Sequence, residues 1–263
     1  MAWLAEHNYI LTAKKIIHQG TPRTGRNGVT YSLPFQQIKF DLSTGHIPLL
    51  TTRRMFYKGV LGEYAAMIRG PKNIIDFQKF GCNYWDNWGD ENGDINIDYG
   101  NAWIDYNGVN QMEYVLNSLR NNPSDRRMVI NAWRPDRLED LSLPCCHHSY
   151  QFWSDGTHLD LLWIQRSGDW MIGVPSDMVL ASVMLLCFSS LANLTPRNVK
   201  MVIGDAHIYA EHIETAIEQC RRLAWNPAIY DLKPQTDLYS FVPSDLDITQ
   251  YKYEPPLTYL LKD

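Results

Sequence analysis

A mixed α/β layered fold is what this sequence predicts, and three observations lead there. Segments of helical and of strand periodicity interleave, without the strict strand–helix–strand alternation of a wholly parallel sheet. The run 177–194 is apolar with little polar relief, as expected of a helix buried on all sides. Hydrophobic residues make up 45 % and charged residues 20 % of 263 positions, enough to bury a full core.

Taken in order, 9–19 has helical spacing and stops at Gly20, and 22–27 is a polar loop rich in Arg and Gly. Residues 35–42 alternate as a strand does. Residues 57–69 are helical and end at Gly70, and 110–121 are helical and halted by Pro123. Residues 128–133 read as a strand. Residues 148–153 and 158–164 flank Asp155-Gly156, a hairpin signal. After the apolar helix come a strand at 199–203 and an amphipathic helix at 208–223. No internal repeat, low-complexity stretch or linker divides the chain, so one domain over 1–263 is the simplest organisation.

Several function classes fall away on composition. A net charge of -5 argues against general adhesion to nucleic acid. The five cysteines are odd in number and form no C-x-x-C pair, so neither a disulfide framework nor a zinc site is suggested. No metal is expected, because the histidines show no ligand spacing. Reduced thiols, no leader-like pattern in residues 1–7 and an apolar run (178–191) too short for a bilayer point to a soluble cytoplasmic protein. Nine Trp and fifteen Tyr suit a core, a subunit interface or a pocket for a flat ligand.

Chemistry concentrates in three places. In Leu143-Pro144-Cys145-Cys146-His147-His148, two thiols lie beside two imidazoles, and a nearby cation favours the reactive thiolate. Strand cysteines are equally able to be small core residues. Ser124-Asp125-Arg126-Arg127 and Gln165-Arg166-Ser167-Gly168-Asp169 offer guanidinium forks and hydroxyls suited to phosphate, although Arg126-Arg127 alone also reads as a solvated turn.

Together these pieces resemble the thymidylate synthase family. The matching segments run in the family order: Pro48 to Arg54; Trp85-Asp86-Asn87-Trp88 with Asp90 to Gly93 and Tyr99-Gly100; Asp125-Arg126-Arg127; Cys146-His147 with Gln151-Phe152; Gln165-Arg166-Ser167 through Asp169; and Gly204 to Tyr209. The resemblance covers roughly residues 20 to 225, and the closing forty match poorly. It implies an α/β (α+β) fold with a large twisted mixed sheet, an obligate homodimer packed sheet against sheet, and transfer of a one-carbon unit from 5,10-methylenetetrahydrofolate to C5 of a pyrimidine nucleotide monophosphate. Cys146 matches the nucleophile that adds to C6. The family has Pro directly before it where Cys145 stands here, and the spacing to Gln151-Phe152 and Arg166 selects Cys146. Arg166 and Ser167 match phosphate binders, Arg166 also sitting where a cation lowers a thiol pKa. Arg126 and Arg127 match arginines that reach the partner's phosphate, and Arg26, rather than Arg23, fits a further phosphate arginine. Glu63 matches a proton-handling glutamate and Tyr99 a tyrosine linked to proton removal at C5. His207 and Tyr209 match binders of the sugar 3′-hydroxyl. Asp169 and Gly173 match pterin contacts, and Trp85, Trp88 and Leu143 match the folate-pocket wall. Each of these residues alone could be ordinary helix surface or core packing.

Asp177 is the informative departure, because the family carries Asn there. An amide donates to O4 of uracil and accepts from N3–H, whereas cytosine reverses that pattern. Asp177 therefore suits cytosine, as in deoxycytidylate hydroxymethylases and related cytidylate-modifying homologues; its other reading is a helix N-cap, shared with Ser176. Ser176 replaces an aromatic pocket residue, and the closing segment is unlike the family's lid-forming tail. Both changes could admit water and give a hydroxymethyl product, with dCMP favoured on family frequency and CMP possible. Methylation of dCMP or dUMP is the alternative. A silent nucleotide- or RNA-binding homologue is opposed by the intact Cys146, Glu63 and Arg166.

Overall fold

The computed structural model describes residues 2–261. Helix α1 (Ala2–Gln19) buries Ala5, Tyr9, Ala13 and Ile16 in one stripe. Strands β1 (Thr21–Gly25) and β2 (Gly28–Asp41) form a hairpin whose turn is Arg26-Asn27, since Gly25 pairs with Gly28. The polar loop expected over 22–27 is thus mostly strand. Its side chains are exposed, and a polar sequence is what a sheet-edge strand tolerates. Next come β3 (His46–Ile47), α2 (Tyr57–Met67), α3 (Ile74–Gln78), α4 (Asn101–Ile104) and α5 (Gln111–Asn121), the last capped by Asn110, which accepts from the Glu113 N–H at 3.1 Å.

Strands β4 (Val129–Asn131), β5 (His147–Ser154) and β6 (His158–Asp169) follow, the last two joined at Asp155-Gly156 as expected. Helix α6 (Gly173–Ala192) begins four residues earlier than the apolar run suggests. Gly173-Val174-Pro175 looks like a helix breaker, but the first turn has no intrahelical partner for its N–H groups, so proline is tolerated there. Two expectations change with it. Ile172 takes the N-cap position, so neither Asp177 nor Ser176 caps the helix; Ser176 Oγ instead bonds back to the Ile172 carbonyl at 3.2 Å. The helix has 20 residues, long enough by length and composition to cross a membrane. It is buried against α2, β6 and β7, which accounts for its apolar character without a bilayer.

Strand β7 (Thr195–Tyr209) outruns the predicted 199–203, because β2 pairs with it as far as Thr30↔Tyr209. Ile208 and Tyr209 therefore end a strand, and only α7 (Ile213–Arg221) is left of the helix expected over 208–223. The chain then adds β8 (Ala228–Leu232) and β9 (Leu246–Thr249), two short strands beyond those expected from periodicity.

Among the described residues the larger sheet has six strands, in the order β1-β2-β7-β6-β5-β4. The β6–β7 pair is parallel, joined through α6, and the other pairs are antiparallel, so the expected mixed sheet is present. A second sheet has the order β3-β8-β9. The larger sheet is irregular at one level across its strands. The β5–β6 register shifts between His147 and Ser149, and Phe35 leaves the β2 ladder with φ 53°. Gly204 lies on β7 at the same level, where a Cβ would come within 2.8 Å of the Arg166 carbonyl oxygen. Such irregularities re-aim side chains, and here they carry Cys146 and Arg166 to one rim.

Candidate active site

The start of β5, the end of β6, the start of α6, the middle of α2 and the end of β7 line a cavity of about 310 Å³. It receives Glu63, Tyr99, Cys146, Arg166, Ser167, Asp169, Gly173, Asp177, His207 and Tyr209, with Trp85, Trp88 and Leu143 on one wall and Arg26 at one edge. Arg126 and Arg127 do not line it. Both are exposed, and Arg127 pairs with Asp125 at 3.0 Å.

Cys146 is the half-buried member of five free thiols, and Cys145 beside it is buried. The Tyr99 hydroxyl accepts from the Cys146 backbone N–H. Arg166 is held by the chain it leans on. Its Nε donates to the Cys145 carbonyl at 2.8 Å and its Nη2 to the Pro144 carbonyl at 3.1 Å, leaving Nη2 3.9 Å from Cys146 Sγ. Burial pushes the Cys146 thiol up, while the Arg166 charge and the Tyr99 hydroxyl push it down. The net shift is upward, against the expectation of a lowered thiol pKa. Arg166 offsets desolvation in part only, so the thiol form prevails in the free pocket. Tyr99 itself is raised by burial and stays a neutral hydroxyl.

Glu63 is buried on α2. Its Oε2 accepts from the Tyr84 hydroxyl at 2.6 Å and its Oε1 from Trp85 Nε1 at 2.7 Å. Burial raises its carboxyl to about 7 despite both bonds, a value suited to exchanging protons near neutrality. Trp85 thus positions Glu63 as well as walling the cavity.

Asp177 sits one turn into α6, its Oδ2 accepting from Gln165 Nε2 at 2.7 Å. Burial, with the Glu63 carboxyl adding repulsion, pushes it up to about 8, so it is largely a neutral acid at pH 7. Its Oδ1 lies 3.9 Å from His147 Nε2. Burial, with the neighbouring His148 charge, lowers His147 to about 3, leaving a neutral imidazole. Gln165 and His147 stand in the matched motifs, but the sequence gives neither a role of its own. A signal existed: in β6 the positions 159, 161, 163 and 165 point inward, and Gln165 is a polar residue on that buried face.

Toward the rim, Arg26 and Asn27 stand on the β1–β2 turn, with Arg26 Nε donating to Asn27 Oδ1 at 3.1 Å. Arg23 is committed to Asp205, which also accepts from Ser32 Oγ at 2.5 Å, so of the two loop arginines Arg26 is the one on the cavity. His207 and Tyr209 stack edge to face with ring centroids 5.5 Å apart. Asp169 accepts from the Met171 and Ile172 N–H groups at 2.9 and 3.3 Å, and burial raises its carboxyl. A Cβ on Gly173 would meet only Asp177 Oδ2, at 3.9 Å, so the missing side chain leaves cavity space. This aromatic wall with a carboxyl at its edge fits a flat, polar heterocycle.

The closing segment is not detached from the site. Leu261 lines the cavity, His212 Nε2 lies 3.0 Å from the Leu260 carbonyl, and the Tyr259 hydroxyl donates to Gln219 at 2.9 Å. Arg53, in a motif given no role from sequence, donates to the Met171 carbonyl at 2.5 Å and lies over the Tyr259 ring. The poor match expected over the last forty residues is corrected by the span of the family match. Residues 7–261 match the family model described as thymidylate synthase, a span that takes in both the pocket and this closing segment. The chain belongs to the thymidylate synthase family, whose activity is folate-dependent modification of C5 of a pyrimidine nucleotide.

Proposed function

We propose that this protein hydroxymethylates C5 of a cytosine nucleotide monophosphate, with dCMP as substrate. The carrying observation is Asp177 in the cavity, one oxygen held by the Gln165 amide and the other left to a ligand. Were residue 177 an amide, its oxygen would take the Gln165 N–H and its NH2 would be left to meet uracil O4. With Asp177 an oxygen stands there instead. Ionised, it repels O4 and accepts from the cytosine amino group; the neutral carboxyl donates to cytosine N3 instead. A mispaired buried group costs about 1–3 kcal/mol or more.

In this reading Cys146 Sγ adds to C6 of the base, its proton leaving for solvent or Glu63, and Arg166 stabilises the thiolate. Glu63 and Tyr99 move protons at the ring, including the one lost from C5. Methylenetetrahydrofolate, held by Trp85, Trp88, Leu143, Asp169 and Gly173, supplies the one-carbon unit when bound. Arg26, Arg166 and Ser167 bind the phosphate, joined by Arg126 and Arg127 from a second copy of the chain in a homodimer. His207 and Tyr209 bind the sugar hydroxyl. The hydroxymethyl outcome rests on Ser176. It lines a neighbouring cavity of about 270 Å³ with Tyr84 and Thr258, and Ile172 belongs to both cavities. Water held there would add to the new carbon as the Cys146–C6 bond breaks.

Methylation is the second reading, favoured by Leu261 and Trp85 closing the same cavity against water. Product mass decides, from dCMP, CMP and dUMP each incubated with methylenetetrahydrofolate, beside Asp177→Asn. A hydroxymethyl group on dCMP supports the proposal, on CMP it moves the sugar preference, and a methyl group on any of them overturns the product assignment. A methylated dUMP unaffected by Asp177→Asn overturns the base assignment as well.

A further inference from the structure

Water is a weak nucleophile, and when it adds to carbon its oxygen must give up a proton. The aliphatic hydroxyls of Ser176 and Thr258 in the second cavity are not bases near neutral pH. Among the described residues lining that cavity, none carries a carboxylate, an imidazole or a thiol. A base for the water has to be reached through the wall.

Tyr84 makes that connection. It lines the second cavity, Glu63 lines the catalytic one, and the Tyr84 hydroxyl donates to Glu63 Oε2 at 2.6 Å. Trp85 fixes which oxygen takes part. Its indole N–H can only donate and occupies Glu63 Oε1 at 2.7 Å, so Glu63 exchanges its proton at Oε2, the oxygen that meets Tyr84. A carboxylate oxygen has two acceptor positions, so Oε2 can serve the ring in one step and Tyr84 in another. Burial, with the Glu63 carboxyl adding to it, raises Tyr84 well above the ordinary phenol value, so it is a neutral hydroxyl. The hydroxyl oxygen also has two acceptor positions. The buried Cys82 thiol beside it takes at most one, and the other is left for a water. Tyr259, the other phenol of that cavity, has its hydrogen on Gln219 rather than on a base.

We infer that Tyr84 is a catalytic relay, which takes a proton from the attacking water and hands its own to Glu63 Oε2, so that the second cavity supplies the hydroxyl group of the product. This rests on the hydroxymethyl reading above and is indifferent to whether the base is cytosine or uracil. The water oxygen bonds to the exocyclic methylene carbon on C5, one water hydrogen moves to the Tyr84 oxygen, and the Tyr84 hydrogen moves to Glu63. The π pair of the methylene re-forms the C5–C6 double bond. The C6–S pair leaves with Cys146 Sγ as a thiolate, 3.9 Å from Arg166 Nη2. Charge is conserved, since one carboxylate is neutralised as one thiolate forms, and nothing is oxidised or reduced. Glu63, raised by burial to about 7, is available near neutral pH in the ionised form that this step needs.

The test is how the methylene carbon divides between water and an added thiol. Wild type, Tyr84→Phe and Tyr84→Met, each checked for a cooperative melt, are incubated with methylenetetrahydrofolate, mercaptoethanol at a fixed concentration and the nucleotide that the wild type turns over. Hydroxymethyl and thioether products are then measured by mass spectrometry. A thiolate formed in bulk solution needs no buried base, so it reports the carbon independently of the relay. Tyr84→Phe keeps the ring and removes the hydroxyl; Tyr84→Met fills the space without one and serves if the first variant does not fold. The expected result is a hydroxymethyl-to-thioether ratio lowered by roughly 10²-fold, the worth of one general base. A merely structural role would lower or abolish both products together. That result, or a ratio that is unchanged or raised, overturns the relay while the hydroxymethyl reading stands. A methyl product from the wild type overturns both.

Discussion

The inner and outer ends of the cavity are built differently. Inside, Asp177, Gln165 and Glu63 are fixed by donors from buried Trp163 and Trp85 and from Tyr84, so each polar atom is placed before a ligand arrives. Outside, Arg26 and Arg166 are exposed, and Arg126 and Arg127 are exposed without lining this cavity. Reading a base depends on which atom donates, and a flexible group would read it poorly. Holding a phosphate dianion needs charge more than a fixed order of donors, and long cationic side chains supply that from solvent. The inner end should therefore respond to single-atom changes through specificity, and the outer end to charge removal through affinity.

The sharpest break is chemical. Cys146→Ala should lower turnover by roughly 10⁴-fold or more with nucleotide binding retained, measured as product mass against time. Retained turnover would remove Cys146 as nucleophile and return the role to Cys145. Next, Asp177→Asn should shift the dCMP/dUMP ratio of kcat/KM by roughly 10²-fold toward dUMP, through pairing rather than fold. A uniform loss on both substrates would count against base reading. At the outer end, Arg126→Ala with Arg127→Ala should raise KM for the nucleotide by about tenfold with a smaller change in kcat. Mixed and refolded with Cys146→Ala, the double variant should regain activity, because a mixed dimer holds one site with every residue intact. Failure to regain it would speak against arginines shared across an interface.

The smallest effect is on stability. Glu63 and Asp177 are raised from ordinary carboxylate values to about 7 and about 8 by burial. Above about pH 5 the unfolded chain has largely released both protons while the folded chain still holds them. Stability should thus fall as pH rises from about 4 through 8, and flatten beyond. Glu63→Gln, which cannot ionise, should show a shallower fall in thermal melts across that window. A slope equal to that of the wild type would mean that Glu63 is already ionised in the folded protein.

Much of the fold was legible because periodicity and punctuation are local. The Asp155-Gly156 hairpin, the Gly20 stop and the Asn110 start of α5 all stand where the sequence puts them. Misreadings came where a partner strand or a helix start overrode local appearance: the polar β1, the strand end at Ile208-Tyr209, and the Gly-Val-Pro opening of α6. The motif residues from Glu63 to Tyr209 were readable as a set, and the cavity gathers them, apart from Arg126 and Arg127. Gln165, His147 and Arg53 stand in the motifs without individual roles, and Leu261 stands outside them, since what each does depends on neighbours distant in the chain.

By itself, then, the sequence determined most of the longer helices and the β5–β6 hairpin, which side chains carry a thiol, a carboxyl or a guanidinium, and which family they resemble, because local periodicity, covalent order and side-chain type settle those. Only the tertiary structure decided that burial pushes the Asp177 carboxyl up to about 8 and that the Cys146 thiol is raised rather than lowered. It alone laid the closing segment on the pocket. Desolvation and hydrogen-bond direction are properties of what surrounds an atom, and those surroundings are assembled from α2, β5, β6 and α6, which meet only when the chain folds.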